Sequence, residues 1–457
     1  MTPSAVTLAV LPFRPLGATG HDESLAFGIA ETLINGLGTG ALTMRPLSAS
    51  RRFAAPDQDA VAAGRALQAQ AVLDGGVQRE GDRLRINARL IRTGDGRLLW
   101  SGQFDEHVGD IFTVQDAIAR QVWAALMPDL LAAPSPTLRR HTRDAEAYQW
   151  YLTGRYFRVQ RIGADGLREA RTAFARAIAR DPGFALAWVG LAETDSILGV
   201  FGVTAPHSVF PGAIAALDRA LTLAPDLGEA HAALGHVKIQ YEHDWTGAER
   251  AFERAIQLNP GYSPAWQWRG LAHAYAGRFE QGIDDLRRAQ SLDPGPIYSA
   301  LIGMVRIYQR QYDAAIVQLE QTLAMAPDAP ATLTYLAVAY LRTGRHEQAL
   351  ALLDRIRGPT PGLAAYRSQA HLLAGRRDEA IAERDRLIAQ SAERYVPAYD
   401  IAAVQAALGD RTQALDWLER ALDERSTLVG WMPWEPVFDG LRDEPRYVAL
   451  AARLARP

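Results

Sequence analysis

Residues 248–260 read AERAFERAIQLNP. Two small residues, Ala248 and Ala255, flank the bulky Phe252, and Pro260 follows five residues after the second alanine. Spacings of four and three residues place these side chains on one face of a helix, and proline ends a helix because it disrupts the hydrogen bonds of the turn. The stretch therefore predicts a helix that packs closely against a neighbour and stops at Pro260.

The same pattern recurs along the chain. Its prolines are Pro182, Pro225, Pro260, Pro294 and Pro327, and the intervals after the first are nearly equal. A period of about 34 residues is typical of stacked helical hairpins. Three looser units follow around Ala349, Ala380 and Ala414. The first two units contain insertions, which in a solenoid lie on one face and can add to a binding surface.

In the best units, a small residue also stands 12 or 13 positions before the first small residue of the second helix. These residues are Gly235, Gly270, Gly303 and Ala337. Small side chains there let the two helices of a hairpin approach closely. The combined pattern resembles the tetratricopeptide repeat, which implies a right-handed α-solenoid that binds protein segments.

In the chain up to Leu130, apolar and polar side chains follow patterns other than the 34-residue repeat. Residues 7–13 form a continuous apolar run, which is typical of a buried strand, whereas residues 84–91 alternate apolar and polar side chains. Helices are predicted over residues 22–37 and from Asp110 onward. The order βαβαβββα predicts a mixed α+β domain.

Several stretches of this part resemble the TolB amino-terminal-like domain of bacterial regulatory proteins. They are LAVLPF at 8–13, FGIAETLINGL at 27–37, VLDG at 72–75 and GDRLRINARL at 81–90. The ending FDGLRDEPRY at 438–447 resembles proteins that join such a domain to tetratricopeptide repeats, as CadC-like regulators do. The resemblance implies no catalytic residues.

The predicted fold class is thus α/β plus all-α, with a small mixed α+β sheet domain followed by a solenoid. We expect the α+β domain at residues 1–132 and a linker at 133–143. About eight repeats are expected at 144–430. Residues 431–457 are expected to cap the last repeat, whose outer side has no neighbour.

The composition narrows the classes of function. A chain of 457 residues is too long for one core, and a net charge of −3 provides no strongly basic face for a phosphate backbone. Cysteine is absent, which excludes disulfides and thiolate chemistry. No apolar run reaches the ~20 residues that span a bilayer. We expect a cytoplasmic protein, or a periplasmic one if the chain belongs to a membrane-anchored regulator.

The concave groove of the solenoid is where we expect binding. Positions set from the small residue of each first helix point inward, and they carry polar and aromatic side chains that suit a protein or peptide segment. A merely solvated face is the alternative interpretation. The candidate groove residues are Glu193, His236, Gln240, Gln267, Met304, Tyr308 and Arg342.

No catalytic, cofactor or metal site is predicted. His231, His236 and His243 are spaced by five and seven residues, so they do not share a helical face, and packing is the better interpretation of His231. The glycines of residues 36–40 follow a helix, whereas a phosphate-binding loop opens one.

The leading hypothesis is a non-catalytic interaction and sensing module of a bacterial regulatory system, which binds a protein or peptide and does not itself bind nucleic acid. The alternative is a transcriptional regulator, or its effector part, that acts with a DNA-binding or membrane-bound partner domain. A hydrolase or cyclase with an unrecognised site is the third hypothesis. A homo-oligomer is compatible with all three.

Overall fold

The structure is a computed structural model that describes residues 6–16, 20–37, 42–54, 58–126, 140–160, 163–358 and 360–454. The chain divides into two compact units, Met1–Gly190 and Leu191–Pro457. None of the helices within the described ranges is long and apolar enough to cross a lipid bilayer.

The first unit contains a mixed sheet. Its strands are β1 Val6–Val10, β2 Arg14–Pro15, β3 Leu42–Arg45, β4 Ala71–Glu80, β5 Arg83–Arg92 and β6 Leu98–His107, in the order β3-β1-β4-β5-β6 with β2 beside β4. The apolar β1 lies between two parallel neighbours, whereas β4, β5 and β6 form an antiparallel meander. The predicted mixed sheet domain is confirmed, and β2 is an addition that the sequence did not predict.

Helices of the first unit pack on this sheet and on one another. They are α1 Gly20–Leu37, α2 Leu47–Ser50, α3 Ala60–Ala66, α4 Ile111–Leu126, α5 Ala145–Gln160 and α6 Ala164–Arg180. A Cβ on Gly28 of α1 would lie 2.3 Å from Leu152 of α5, so only glycine allows this approach. Most of the predicted linker, up to residue 139, lies outside the described residues.

A series of helical hairpins makes up the second unit, and α7 (Ala185–Val200) spans the boundary between the units. The first helices of its hairpins, called inner helices below, are α9 Gly228–Val237, α11 Ser263–Tyr275, α13 Pro296–Tyr308, α15 Pro330–Arg342, α17 Leu363–Leu373 and α19 Ala398–Leu408. The second helices are α8 Pro206–Leu223, α10 Trp245–Leu258, α12 Phe279–Leu292, α14 Tyr312–Met325, α16 His346–Leu353, α18 Arg377–Ser391 and α20 Arg411–Asp423. A short π-helix, Lys238–Glu242, extends α9, and α21 (Pro445–Ala452) follows the array.

Close approach at the small residues holds each hairpin together. A Cβ on Gly235 would lie 2.6 Å from the ring of Phe252, and a Cβ on Gly303 would lie 2.7 Å from Leu319. Phe252 and Leu319 are the bulky residues of the repeated pattern, and both are fully buried. The small–bulky–small pattern therefore determines the packing between the helices of a hairpin, as the sequence predicted.

The turns at Pro182, Pro225 and Pro260 each contain a hydrogen bond to the proline carbonyl oxygen from a side chain six residues later. The indole Nε1 of Trp266 donates to the carbonyl oxygen of Pro260 at 3.0 Å. His231 stands six residues after Pro225, as Trp266 stands six after Pro260, and its Nε2 lies 2.8 Å from the Pro225 carbonyl. Since a carbonyl oxygen can only accept, this imidazole nitrogen carries the proton. His231 thus ties the turn, in keeping with a packing role.

The array of the second unit closes on itself. A Cβ on Gly202, just after α7, would lie 2.7 Å from Pro397, just before α19. The two positions are far apart in sequence, with five hairpins between them, yet they are in contact. The inner helices between them therefore surround a common interior.

Gly235→Ala is expected to lower the free energy of unfolding by about 1–3 kcal/mol, because its methyl group overlaps the buried Phe252 ring. Gly212→Ala is the matched control. Gly212 is exposed on α8 and its Cβ would meet only Asp195, at 3.9 Å, so alanine there is neutral or slightly stabilising. Urea unfolding of the full chain, followed by circular dichroism, compares the two variants. Equal unfolding midpoints for both would contradict the packing interpretation.

Candidate functional site

After α20 the chain returns across the interior of the second unit. Thr427–Trp431 forms a 3₁₀-helix, and residues 427–435, which we call the groove segment, lie against several inner helices. Pro436–Leu441 forms a second 3₁₀-helix and α21 follows it. The C-terminal part of the unit is therefore in contact with hairpins that precede it by a long stretch of sequence.

Trp431 is the aromatic centre of these contacts. Its ring lies 3.9 Å from that of Tyr275 on α11 and 4.6 Å from that of Tyr308 on α13, measured between centroids. The Trp431 side chain is buried, and Met304 belongs to the same apolar cluster. Burial of an indole between two phenol rings is among the more strongly stabilising contacts available to a protein.

Trp434 donates a hydrogen bond to a backbone carbonyl at the end of α11. Its Nε1 donates to the carbonyl oxygen of Tyr275 at 3.0 Å. Tyr275 is the last residue of α11, whose final carbonyls have no partner within the helix. The Trp434 ring also meets the edge of Phe279 at 4.9 Å. Gly277, with φ of +77°, leaves the space in which this indole lies.

Glu435 brings a carboxylate into the interior. Its Oε2 accepts hydrogen bonds from the hydroxyls of Tyr308 and Tyr366, each at 3.4 Å. The residue is only 3% exposed, and this burial raises the pKa of its carboxyl group, while the charge of Arg342 acts in the opposite direction. Three inner helices thus contribute to one anion-holding position.

A second buried carboxyl group lies nearby on α19. Asp400 Oδ1 accepts from the backbone N–H of Gly362 at 3.2 Å. Burial raises the pKa of Asp400 from its usual 3.8 to about 7. The pKa values of Tyr366 and Tyr399 are also raised, first by burial and then by Glu435, which places these side chains around the same polar centre.

The residues after the groove segment cover the last hairpin. Phe438 is fully buried and meets the edge of Tyr399 at 5.5 Å, and the Tyr447 hydroxyl donates to the carbonyl of Met432 at 2.7 Å. The indole of Trp245 donates to the carbonyl of Leu454 at 2.9 Å. A cap at 431–457 was predicted from sequence, and its limits stay a prediction. The return across the inner helices was not foreseen.

The structure brings three of the seven predicted groove residues to the groove segment. Met304 packs in the Trp431 cluster, Tyr308 contacts both Trp431 and Glu435, and Arg342 acts on the Glu435 carboxylate. Gln240 is linked to the groove segment through Tyr275, because its Nε2 donates to the Tyr275 hydroxyl at 3.3 Å. These positions are therefore occupied by the chain itself.

The other predicted groove residues have different neighbours among the described contacts. Glu193 accepts from the hydroxyl of Tyr262 at 3.3 Å, and Gln267 is half-buried. His236 is stacked on Trp268 at 3.7 Å, and burial lowers its pKa to about 3, so its imidazole is neutral near pH 7. A binding role for these side chains stays a prediction.

Sequence reasoning missed Trp431, Trp434 and Glu435 as groove residues and assigned them to the cap at 431–457. A usable signal was the run WMPWEP at 431–436, in which two indoles stand three residues apart beside prolines. A cap needs apolar side chains, but it does not need two indoles in so short a span. Tyr366 was missed because its helix belongs to one of the looser repeats.

An open cleft of about 530 Å³ lies between residues 242–243 and the C-terminal part of the second unit. Both acidic and basic side chains line it. It is lined by Glu242, His243, Leu422, Asp423, Arg425, Arg453 and Leu454. His243 and Arg425 have φ of 57° and 54°, a region that residues with a side chain rarely adopt. Within the described residues, no group of three or more His, Cys, Asp or Glu side chains is arranged to hold a metal ion.

Comparison with family models assigns parts of the chain. Residues 240–296 and 306–372 each match the tetratricopeptide repeat. Residues 4–121 match the second domain of HilA/YgeH-like transcriptional regulators. The hairpins within these two ranges are thus tetratricopeptide repeats, the kind of array that typically mediates contacts between proteins. The resemblance of the first part to the TolB-like family stays a prediction.

One curated relative is a putative adenylate cyclase 3 of Rhizobium meliloti (strain 1021). It is 33% identical over 193 residues, which are 41% of this chain and 32% of that protein. The matched region therefore spans about a third of the length of the relative.

Comparison with solved structures finds similarity to three proteins at low sequence identity. The APC/C hetero-tetramer Cut9–Hcn1 is 18% identical over 60% of this chain and 48% of the other, with a TM-score of 0.39. A thermophilic TPR protein of Thermus thermophilus is 20% identical over 43% and 99%, with a TM-score of 0.37. The human IFIT1 dimer with m7Gppp-AAAA is 15% identical over 68% and 77%, with a TM-score of 0.47.

Asp400 predicts a pH dependence of stability. Because its folded pKa of about 7 lies above the usual 3.8, the folded state binds the proton more tightly than the unfolded state. The corresponding stability is fully present below about pH 4 and is lost as the pH rises to about 7. We expect Asp400→Asn to reduce the loss of unfolding free energy between pH 5 and pH 8 by about 2 kcal/mol.

Chemical unfolding of the full chain at both pH values measures this difference. Asp284→Asn, at an exposed position of α12, reports the effect of removing a carboxylate as such. An Asp400→Asn variant that keeps the whole wild-type pH dependence would show that Asp400 does not cause it.

Proposed function

We propose that the chain is a non-catalytic protein-interaction module of a bacterial regulatory system, and that its inner helices bind a peptide or a short segment of a partner protein. One observation supports this above all. A short segment with two indoles and a carboxylate, formed by a 3₁₀-helix and a turn, already lies against those helices, and it belongs to the chain itself. The surface thus has groups that hold the side chains of such a segment: aromatic faces, a carbonyl acceptor and hydroxyl donors.

The groove has the features of a peptide-binding surface with a few strong anchors. Tyr275 and Tyr308 offer aromatic faces, and the last carbonyl of α11 offers an acceptor. Buried aromatic anchors supply most of the binding energy in protein interfaces, and the surrounding contacts mainly exclude water. This arrangement favours recognition of a protein segment over chemistry on a small substrate.

The first unit supports a regulatory role. Its match to the second domain of HilA/YgeH-like transcriptional regulators favours the second candidate function, an effector part that acts with a DNA-binding or membrane-bound partner domain. We retain the TolB-like interpretation of this domain as part of the proposal. In either function the chain senses or positions a partner protein.

The relative named as a putative adenylate cyclase supplies a competing hypothesis. Our proposal assigns no cyclase chemistry to this chain, because the matched region covers about a third of that protein. Formation of cyclic AMP from ATP by the purified chain would contradict the non-catalytic part of the proposal.

The groove proposal predicts a loss of partner recovery in Tyr308→Ala and Arg342→Glu. Both changes alter groove side chains that contact the groove segment or act on its Glu435 carboxylate. We therefore expect at least tenfold lower recovery of the partner protein after cross-linking in lysate of the source bacterium. Quantitative mass spectrometry compares each variant with wild type at equal amounts of bait. Trp266→Ala is the control: it removes a large aromatic side chain whose hydrogen bond ties the turn at Pro260, away from the groove segment. This variant is expected to recover the partner as wild type does. Unchanged recovery with both groove variants would contradict the proposal.

For the second candidate function we expect the purified chain to leave a duplex DNA fragment from its own genomic region unshifted at physiological salt. The net charge of −3 offers little attraction to phosphates. An electrophoretic mobility shift tests this, with a heparin-binding basic protein as positive control. Sequence-selective binding would replace the partner-mediated interpretation with direct DNA recognition.

A further inference from the structure

We propose that the groove segment is an internal substitute for the partner, and that a partner segment with the pattern Trp-x-x-Trp-Glu takes its place on the inner helices. This inference rests on the proposed function and names the chemistry of its ligand. Trp431, Trp434 and Glu435 carry that pattern in the chain itself.

The contacts of the segment define three subsites. Tyr275 and Tyr308 form an aromatic slot that accepts an indole, as their distances of 3.9 and 4.6 Å to the Trp431 ring show. A smaller aliphatic side chain would leave part of both phenol faces uncovered. The slot therefore selects a large planar ring at the first position of the pattern.

The second subsite needs an indole with its N–H free to donate. The acceptor is the terminal carbonyl of α11, at 3.0 Å from Trp434 Nε1, and the edge of Phe279 lies against the ring. Phenylalanine would fill part of this space but leave the carbonyl without a donor. Tryptophan is the side chain that meets both requirements.

The third subsite holds a carboxylate. The hydroxyls of Tyr308 and Tyr366 donate to Glu435, and Arg342 supplies positive charge from the helix between them. Glu435 Oε1 is buried and has no hydrogen-bond partner among the residues that the structure describes, so the fit of this side chain is incomplete. A partner carboxylate that reaches the same donors with better geometry gains affinity over the internal segment.

The groove segment is attached so that it can leave as a loop. On one side, Arg425 stands between α20 and the segment with φ of 54°, a conformation that costs a residue with a side chain about 1 kcal/mol or more. On the other side, Phe438 and Leu441 are buried against the last hairpin. Phe438 and Leu441 therefore anchor the chain at the last hairpin when residues 427–435 move. The movement breaks the hydrogen bond from Tyr447 to Met432 and removes Val429 and Met432 from the same apolar cluster.

Because the groove segment is covalently attached to the groove, it also sets the affinity that a partner needs in order to displace it. A tethered segment competes with an effective concentration in the millimolar range, so a free peptide of the same sequence at micromolar concentration is at a disadvantage of about a thousandfold. A partner must bind more tightly than the internal copy, or act after the internal copy is weakened. Weakening the segment while leaving the groove intact is thus the direct test.

The test uses the full chain and a fluorescein-labelled peptide that copies residues 427–441, followed by fluorescence anisotropy. Trp434→Ala weakens the internal segment without altering the groove, so we expect it to bind the peptide at least tenfold more tightly than wild type. Trp266→Ala is the matched control and is expected to bind like wild type. A peptide in which the residue copied from Trp431 is alanine is expected to lose at least tenfold in affinity for Trp434→Ala.

A folded Trp434→Ala variant that binds the peptide no better than wild type would overturn the inference, and so would equal binding of the alanine peptide. Hydrogen exchange in wild type gives a second readout that needs no variant. One millimolar peptide is expected to speed exchange of the amides of residues 427–435. Unchanged exchange at that concentration would overturn the inference even if Trp434→Ala does not fold.

Two further outcomes distinguish a failure of this inference from a failure of the proposed function. A partner lost from Tyr308→Ala, together with no peptide binding to Trp434→Ala, keeps the proposed function and removes the inference. Peptide binding to Trp434→Ala with no recovered partner keeps the displaceable segment and its three subsites, but it overturns the proposed function and with it the assignment of the groove to a partner. Mass photometry at the same protein concentration checks self-association, and a dimer that depends on Trp431 would assign the groove to a second copy and overturn the assignment to another protein.

Discussion

A stacked array of hairpins buries each hairpin against its neighbours, but it leaves the inner face and the last hairpin without cover. In the second unit, residues 427–454 cover both. Trp431 and Glu435 reach the inner helices, while Phe438 and Tyr447 lie at the last hairpin. The burial of the inner aromatic faces and of the Glu435 carboxyl group depends on this single return of the chain.

The repeats were predictable because their determinants are local. The spacing of Ala248, Phe252 and Ala255 decides which helix face is buried, and Gly235 stands where the partner helix must come close. The mixed sheet could be predicted for the same reason, since the apolar run of β1 and the alternation in β5 report burial directly. The two-residue strand β2 carries too short a pattern to be recognised.

The site was only half predictable. Tyr308 and Arg342 follow from their offsets to Gly303 and Ala337, because a helix repeats its geometry. What lies against them does not follow. Glu435 is 127 residues from Tyr308 and 69 from Tyr366 in sequence, and no local period relates positions so far apart. A contact of that range is decided by packing of the whole unit.

Burial also changes what the polar side chains of the interior do. Glu435 and Asp400 are held in apolar surroundings that favour their protonated forms, and the tyrosine hydroxyls beside Glu435 can donate to it in either state. Buried ionisable groups usually reduce stability unless they are fully paired. Their presence here is a stability cost concentrated at the one place where the chain meets its own inner helices.

The return of the chain has a consequence for synthesis. A ribosome makes Tyr275 long before Trp431, and at about 5–20 residues per second the intervening stretch takes roughly 8 to 30 seconds. During that interval the inner helices of the nascent chain can form while their aromatic faces have no cover. Each newly made molecule therefore passes through a stage in which the aromatic faces of its inner helices are uncovered, before its own segment can reach them.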